Sequence, residues 1–194
     1  MDSIENATSM LREEHHLIEQ AILALAWILK ELQTGTVLDP RRVLEMAKSF
    51  KNYLERCHHV KEDFLLSMVR ACEGSFARYP VQSFYDEHHR TQPLLTNLVK
   101  TAQENSQSNG ANTEALVHSL RDVVDFYPGH IWKADNLLFP LASELLRQTD
   151  QHVLIQQFKW IESAVGRNCG EEFSALVAEF CPQPAEGAKR RLAV

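Results

Sequence analysis

The chain is poor in the residues that break helices and in those that staple small folds. Its 194 residues include seven glycines, seven prolines and four cysteines. The cysteines show no C-x-x-C spacing, so we expect neither a disulfide framework nor a zinc ribbon, but reduced thiols in a cytoplasmic protein. The longest apolar run, residues 21–29, is too short to cross a bilayer. The N-terminus lacks the basic and apolar regions of a signal peptide, so no membrane partner is expected.

Positive charge is also scarce. The net charge is −6, and no block of basic residues occurs. Nucleic acid is therefore not expected as a partner. The composition, 44% hydrophobic and 24% charged, is that of an ordinary globular chain with a sizeable core.

Apolar residues recur at helical spacing through most of the chain. The pattern predicts four long helices, at about 4–33, 40–72, 80–103 and 113–147. Pro93 is expected to kink the third helix. Long helices with short connections favour an all-α fold, an up-down-up-down four-helix bundle. Two short extra C-terminal helices, at about 151–165 and 171–180, should pack against it. We therefore divide the chain into a bundle over 1–148 and a C-terminal helical extension over 149–194, which is also a candidate surface for a homodimer.

Histidines are unusually ordered along these helices. Each predicted helix carries one histidine site, and the four sites are His15-His16, His58-His59, His88-His89 and His130. Neighbouring residues of a helix differ in direction by about 100°, so only one member of each pair can face the core. The apolar stripes select an inward set consisting of His15, His58, His88 and His130. Carboxylates follow two of these, since Glu62 stands four residues after His58 and Asp135 five residues after His130.

A single histidine on an apolar face is more often a satisfied core residue than a metal ligand. Four of them on four helices, two with carboxylates, would form an expensive polar cluster unless a metal held them. Imidazole and carboxylate groups projecting from four helices build the dinuclear sites of bundle cores. We therefore predict a metal site of six ligands, namely His15, His58, Glu62, His88, His130 and Asp135.

The remaining polar residues near the predicted site are assigned a lesser part. His16, His59 and His89 are expected at the surface, with His59 and His89 also candidates to support the ligands without binding metal. Gln92 is read in three ways, as a weak ligand, as a hydrogen-bond donor to a bound oxygen species, or as a polar residue beside the proline. Tyr127 is expected in the core close to the site, with a satisfied hydroxyl.

The four histidine segments, in this order, resemble the hemerythrin family in its broad form, the hemerythrin HHE cation-binding domain. The matching segments are EHHLI at 14–18, CHHVKED at 57–63, EHH at 87–89 and HIWKAD at 130–135. The resemblance covers about residues 8–145. It implies a hemerythrin-like bundle that holds two iron ions through four histidines, with Glu62 and Asp135 as bridges. An oxo or hydroxo bridge completes the implied centre, and manganese and zinc are the competing metals.

The chain departs from the family pattern at two positions. The respiratory carriers have a further histidine four residues after the first on the third helix, where this chain has Gln92. Several bacterial and iron–sulfur-repair members have a glutamate four residues after the last histidine, where this chain has Ala134, and Asp135 stands five residues on, as in the carriers. The five-residue step from His130 to Asp135 turns the carboxylate about 140° away in a regular helix. A π-type widening would bring the carboxylate back, and such widenings occur at functional sites. We therefore predict a π-turn or bend within residues 129–137.

Three functions fit these features. The first is a protein that binds dioxygen, or nitric oxide or peroxide, at a di-iron site for sensing, storage or detoxification. The second is a di-iron enzyme: an oxidase, a consumer of peroxide or nitric oxide, or an iron donor in iron–sulfur cluster repair. The third is a regulatory module with a structural metal. The apolar wall favours the first function, and the missing histidine at Gln92 favours the second, because it leaves a coordination position open.

Overall fold

The protein is described by a computed structural model over residues 6–72, 78–166 and 169–180, where helices and short connections account for the whole path. The helices are α1 (Ala7–Gln33), α2 (Pro40–Tyr53), α3 (His59–Cys72), α4 (Arg78–Gln107), α5 (Glu114–Lys133), α6 (Phe139–Leu145), α7 (Gln148–Val165) and α8 (Cys169–Phe180). Two π-helical segments, π1 (Leu54–His58) and π2 (Ala134–Leu138), join α2 to α3 and α5 to α6. The predicted all-α bundle of four long helices, α1, α2–α3, α4 and α5–α6, is thereby confirmed.

Side-chain caps and turn residues fix where these helices begin. The Asn6 side chain accepts a hydrogen bond from the amide of Thr8 at the start of α1. Asp39 does the same for α2, where Pro40 takes the first helical position that needs no amide donor. The predicted start of the first helix at residue 4 lies outside the described residues. Pro93 stands inside α4, which is helical on both sides of it.

Two apolar clusters fill the bundle, one on each side of a polar layer. One cluster contains Ile18 to Ile28 of α1, and the other contains Leu11. The remaining long helices change from one cluster to the other at the same level. His15 lies at that level on α1, so the histidine sites of the four helices form a single layer across the core.

The two C-terminal helices cover the bundle as predicted. Helix α7 packs on α3 and α1, and α8 packs on α1 and α2. Phe158 of α7 joins one apolar cluster and Phe173 of α8 joins the other. The division of the chain at residue 148 stays a prediction. No helix among the described residues has the length and apolar character to cross a membrane.

Candidate metal centre

Glu62 lies at the centre of the polar layer. Its side chain is fully buried, and all four histidines predicted to face inward are buried around it. Each of them turns its Nε2 atom toward the carboxylate. The distances from Nε2 to the nearer Glu62 oxygen are 3.5 Å for His15, 3.6 Å for His58, 3.0 Å for His88 and 3.3 Å for His130. The structure therefore brings five of the six predicted ligands together.

The outer nitrogens of the same four histidines each meet a carboxylate of a neighbouring long helix. The pairs, with the distance from Nδ1 to the carboxylate oxygen, are His15–Asp135 at 2.9 Å, His58–Glu14 at 2.9 Å, His88–Asp63 at 2.7 Å and His130–Glu87 at 3.0 Å. Each long helix supplies one histidine and one carboxylate, so the contacts form a closed ring around the bundle. A carboxylate fixes Nδ1 as the donor and leaves the lone pair of Nε2 for a metal.

Asp135 belongs to this outer ring and not to the centre. A π-helical segment does occur in this region, at residues 134–138 against the predicted 129–137, but it does not turn the Asp135 carboxylate toward the centre. The side chain accepts from Nδ1 of His15, is 24% exposed and lies 3.6 Å from a guanidinium nitrogen of Arg12. Arg12 also donates to the backbone oxygen of Asp135 at 2.9 Å. His15 and Arg12 together hold the Asp135 carboxylate on the outer side of His15. The structure therefore does not place this carboxylate among the inner ligand atoms.

His59 is the residue that sequence reasoning missed. It was expected at the surface or in support, but only 6% of it is exposed and its ring stacks on His88 with centroids 4.4 Å apart. The cause is π1, in which the amide of His59 bonds to the carbonyl of Leu54, five residues back. The additional residue in this turn reduces the angle between neighbours, so His58 and His59 both face inward. His16 and His89 are exposed as expected.

The inner atoms form two groups that could each hold a metal ion. One group is His15, His58 and Glu62, and the other is His59, His88 and His130, with the ligand atoms of each group within 4.8 Å of one another. Four inner atoms are buried with no hydrogen-bond partner, namely Nε2 of His15, His58 and His59 and Oε1 of Glu62. Buried polar atoms without partners are costly and rare. A metal ion in each group would supply the missing partner, so the donor set fits a two-metal centre.

The charges of the layer are strongly coupled in the metal-free protein. Burial disfavours the charged form of His15, but the hydrogen bond to Asp135 and the nearby negative charge of Glu62 outweigh it and raise the pKa to about 9. His88 behaves alike, with a pKa raised to about 9 despite burial. Burial and the neighbouring imidazoles lower the pKa of His59 well below its ordinary value. His59 is therefore neutral, as a metal ligand must be.

Gln92 and Tyr127 lie outside both groups. Gln92 is exposed and lines a surface groove of about 500 Å³, together with His59 and His88. Tyr127 is buried with its ring centroid 6.2 Å from that of His130. The expectation of a satisfied hydroxyl was wrong, because the Tyr127 hydroxyl is buried without a hydrogen-bond partner. Burial raises the pKa of the Tyr127 phenol above its ordinary value, so the hydroxyl stays protonated.

The sequence that forms this site matches a known protein family. A sequence model of the hemerythrin HHE cation-binding domain matches residues 6–142, which include every residue of both ligand groups. The chain belongs to this family, and the predicted resemblance is confirmed. Neither the curated proteins nor the solved structures gave a significant match.

Proposed function

We propose that the chain binds two iron ions in the polar layer and uses them to bind dioxygen or a related small molecule, nitric oxide or peroxide. The observation that carries the proposal is the set of four buried inner atoms without hydrogen-bond partners. His15 and His58 would hold one ion, and the group of His59, His88 and His130 the other. Glu62 faces both groups and is the proposed bridge. Manganese and zinc are the competing metals for these nitrogen and oxygen ligands.

In this proposal His59 takes the part of the histidine that is missing at position 92. The group on π1, α4 and α5 then has three imidazoles, and the group on α1 and π1 has two. Neither set fills six positions, even with the Glu62 carboxylate. Iron held there supplies open coordination positions and redox chemistry to a small ligand. The family resemblance implied that Asp135 bridges the two ions. We propose instead that Asp135 orients His15.

The groove beside Gln92 is the proposed path of the ligand. The two apolar clusters close the layer above and below, whereas the groove reaches His59 and His88 from the surface. Its lining is mostly polar and also includes Lys51 and Asp63. A small ligand could therefore reach the three-histidine group first.

The same polar lining favours a second candidate function, a di-iron enzyme that consumes peroxide or nitric oxide. Reduction of either ligand needs protons, and Asp63 and the Lys51–Glu55 ion pair stand in the groove. A reversible binding protein gains nothing from such a supply. The cytoplasmic location and the homodimer stay predictions.

Iron content and the visible spectrum test the proposal. The purified chain, loaded with ferrous iron, should hold two ions and develop an absorption band with dioxygen, nitric oxide or peroxide. A band that disappears when the ligand is removed supports the binding protein, whereas bleaching with continued consumption of ligand supports the enzyme. A preparation that binds one zinc and no iron would refute both.

A further inference from the structure

Lys61 is buried as completely as the apolar core. It stands on α3 beside Glu62, and none of its surface is exposed. Lysine is almost never fully buried unless it is paired. Its ammonium group forms ion pairs with Glu14 and with Glu162, the latter at 2.7 Å. The charge of Lys61 is therefore held between two carboxylates of different helices.

Helix α7 supplies one end of this contact. Glu162 belongs to α7, and one turn earlier Phe158 places its ring 5.8 Å from the ammonium of Lys61. The Glu162 side chain is 43% exposed, so water screens its end of the ion pair and reduces what the pair adds to stability. Replacing buried ion pairs by apolar residues of similar volume is often neutral or stabilising. Packing alone therefore does not account for a charged contact at this place.

The other end of the contact is the metal layer. The second oxygen of Glu14, Oε2, lies 2.9 Å from Nδ1 of His58. A continuous path of ion pairs and one hydrogen bond thus runs from Glu162 through Lys61 and Glu14 to His58. Because Nδ1 of His58 donates to Glu14, the position of that carboxylate determines where Nε2 points.

This arrangement has no equivalent elsewhere in the described part of the outer ring. Asp135 is paired with Arg12, and Glu87 with Lys133. Both cations belong to the long helices of the bundle, and their side chains are 43% and 36% exposed. The cation beside Glu14 is buried, and it is anchored by a helix that lies beyond the matched family region, residues 6–142.

We propose that α7 contributes to the metal centre. Its residue Glu162 positions His58 for metal binding, and it acts through Lys61 and Glu14. Glu162, Lys61 and Glu14 are positioning residues, since none of them touches the inner ligand atoms. The proposal rests on the assignment of His58 as a ligand. It gives the C-terminal extension a part in forming the two-histidine group, while the three-histidine group is left to the bundle.

The test follows the imidazole N–H groups of the full-length, metal-free chain by NMR with ¹⁵N-labelled histidine. Glu162→Ala should speed exchange of the His58 Nδ1–H with water at least about tenfold, and leave the Nδ1–H of His15, His88 and His130 unchanged. Glu162→Gln, which keeps an acceptor for Lys61, should restore most of the protection and guards against a variant that fails to fold. Glu171→Ala removes an exposed glutamate of α8 and serves as the control.

A cobalt(II) titration gives the second readout. Glu162→Ala should weaken one of two binding steps by up to about 10-fold, less than the 10- to 100-fold expected for loss of Glu14, the direct outer partner of His58. Equal loss of protection at all four histidines, or no loss at His58, would overturn the proposal and reduce α7 to a cover. If the chain binds no metal, the proposed function fails, but the exchange measurement still decides whether α7 positions His58.

Discussion

Replacing His59 by leucine tests whether this residue is a metal ligand or a packing residue of the core. If it is a ligand, the metal-free protein should become more stable and the loaded protein should lose metal. The Nε2 atom of His59 is buried without a hydrogen-bond partner. Such an atom costs about 1–3 kcal/mol in the folded state. Leucine removes it at similar volume but loses the ring contact with His88, which lies at 4.4 Å between centroids and is worth about 0.5–1.5 kcal/mol. The metal-free variant should therefore be more stable by about 1 kcal/mol.

The metal-loaded protein should change in the other direction. The variant loses one of the three imidazoles in the group of His59, His88 and His130. Loss of a direct ligand should cost more than the 10- to 100-fold that loss of an outer partner costs, so bound metal should fall from two ions per chain to one. His89→Leu is the matched control, since His89 is the exposed member of its pair.

Thermal denaturation of the metal-free proteins and metal analysis of the loaded ones decide the question. A gain of 1 kcal/mol should raise the unfolding temperature by about 2–4 °C for a chain of this size. A His59→Leu protein that loses stability without metal and still binds two ions would refute the reasoning from the unpartnered nitrogen. His59 would then be a packing residue.

Four further predictions concern the charges of the polar layer and the groove. Glu62→Gln should lower the pKa of both His15 and His88 from about 9, because the central carboxylate stabilises both imidazolium ions; unchanged values in an NMR titration would contradict this. The raised pKa values also mean that the metal-free protein loses stability as the pH rises from about 6.5 to 9, and that metal loading at pH 7 releases about two protons. A pH indicator in weak buffer measures that release, and its absence would show that the two imidazoles are already neutral. Gln92→Trp should narrow the groove and slow ligand binding in stopped-flow measurements while metal content stays unchanged; an unaltered rate would mean that ligands enter elsewhere.

The sequence predicts the four long helices of the bundle and one of its two π-helical segments. The apolar stripes identify four inward histidines correctly and miss the fifth, His59. The five-residue step from His130 to Asp135 predicts a π-type widening in this region, and π2 lies there, although Asp135 stays outside the inner ligand set. The step from His58 to Glu62 is four residues and fits a regular helix, so π1 leaves no mark in the spacing. The one available signal was the pair of acids, Glu62 and Asp63, which follow His58 and His59 at equal distance.

The outer ring of carboxylates could not be read from the sequence in the same way. Its contacts join residues of different helices, and periodicity along one helix does not show which neighbour a side chain meets. Glu14 and Glu87 stand directly before His15 and His88, which looks like a charged surface position next to a ligand. The structure shows that each serves the histidine of the next long helix, His58 and His130 respectively. The burial of Lys61 could not be read from the sequence for the same reason, because it depends on contacts with α7, far along the chain.

The closed ring has a physical consequence for how the metal centre forms. Each of the four ring histidines, His15, His58, His88 and His130, is held by a carboxylate on a neighbouring helix, so none of these ligand positions is complete on a single helix. The inner atoms gain their orientation only when all four long helices are packed, and the cost of burying them falls on the folded protein without metal. Metal binding then compensates at the place where the two apolar clusters are interrupted. Binding and bundle assembly should therefore be coupled, with α7 adding its own contribution through Lys61.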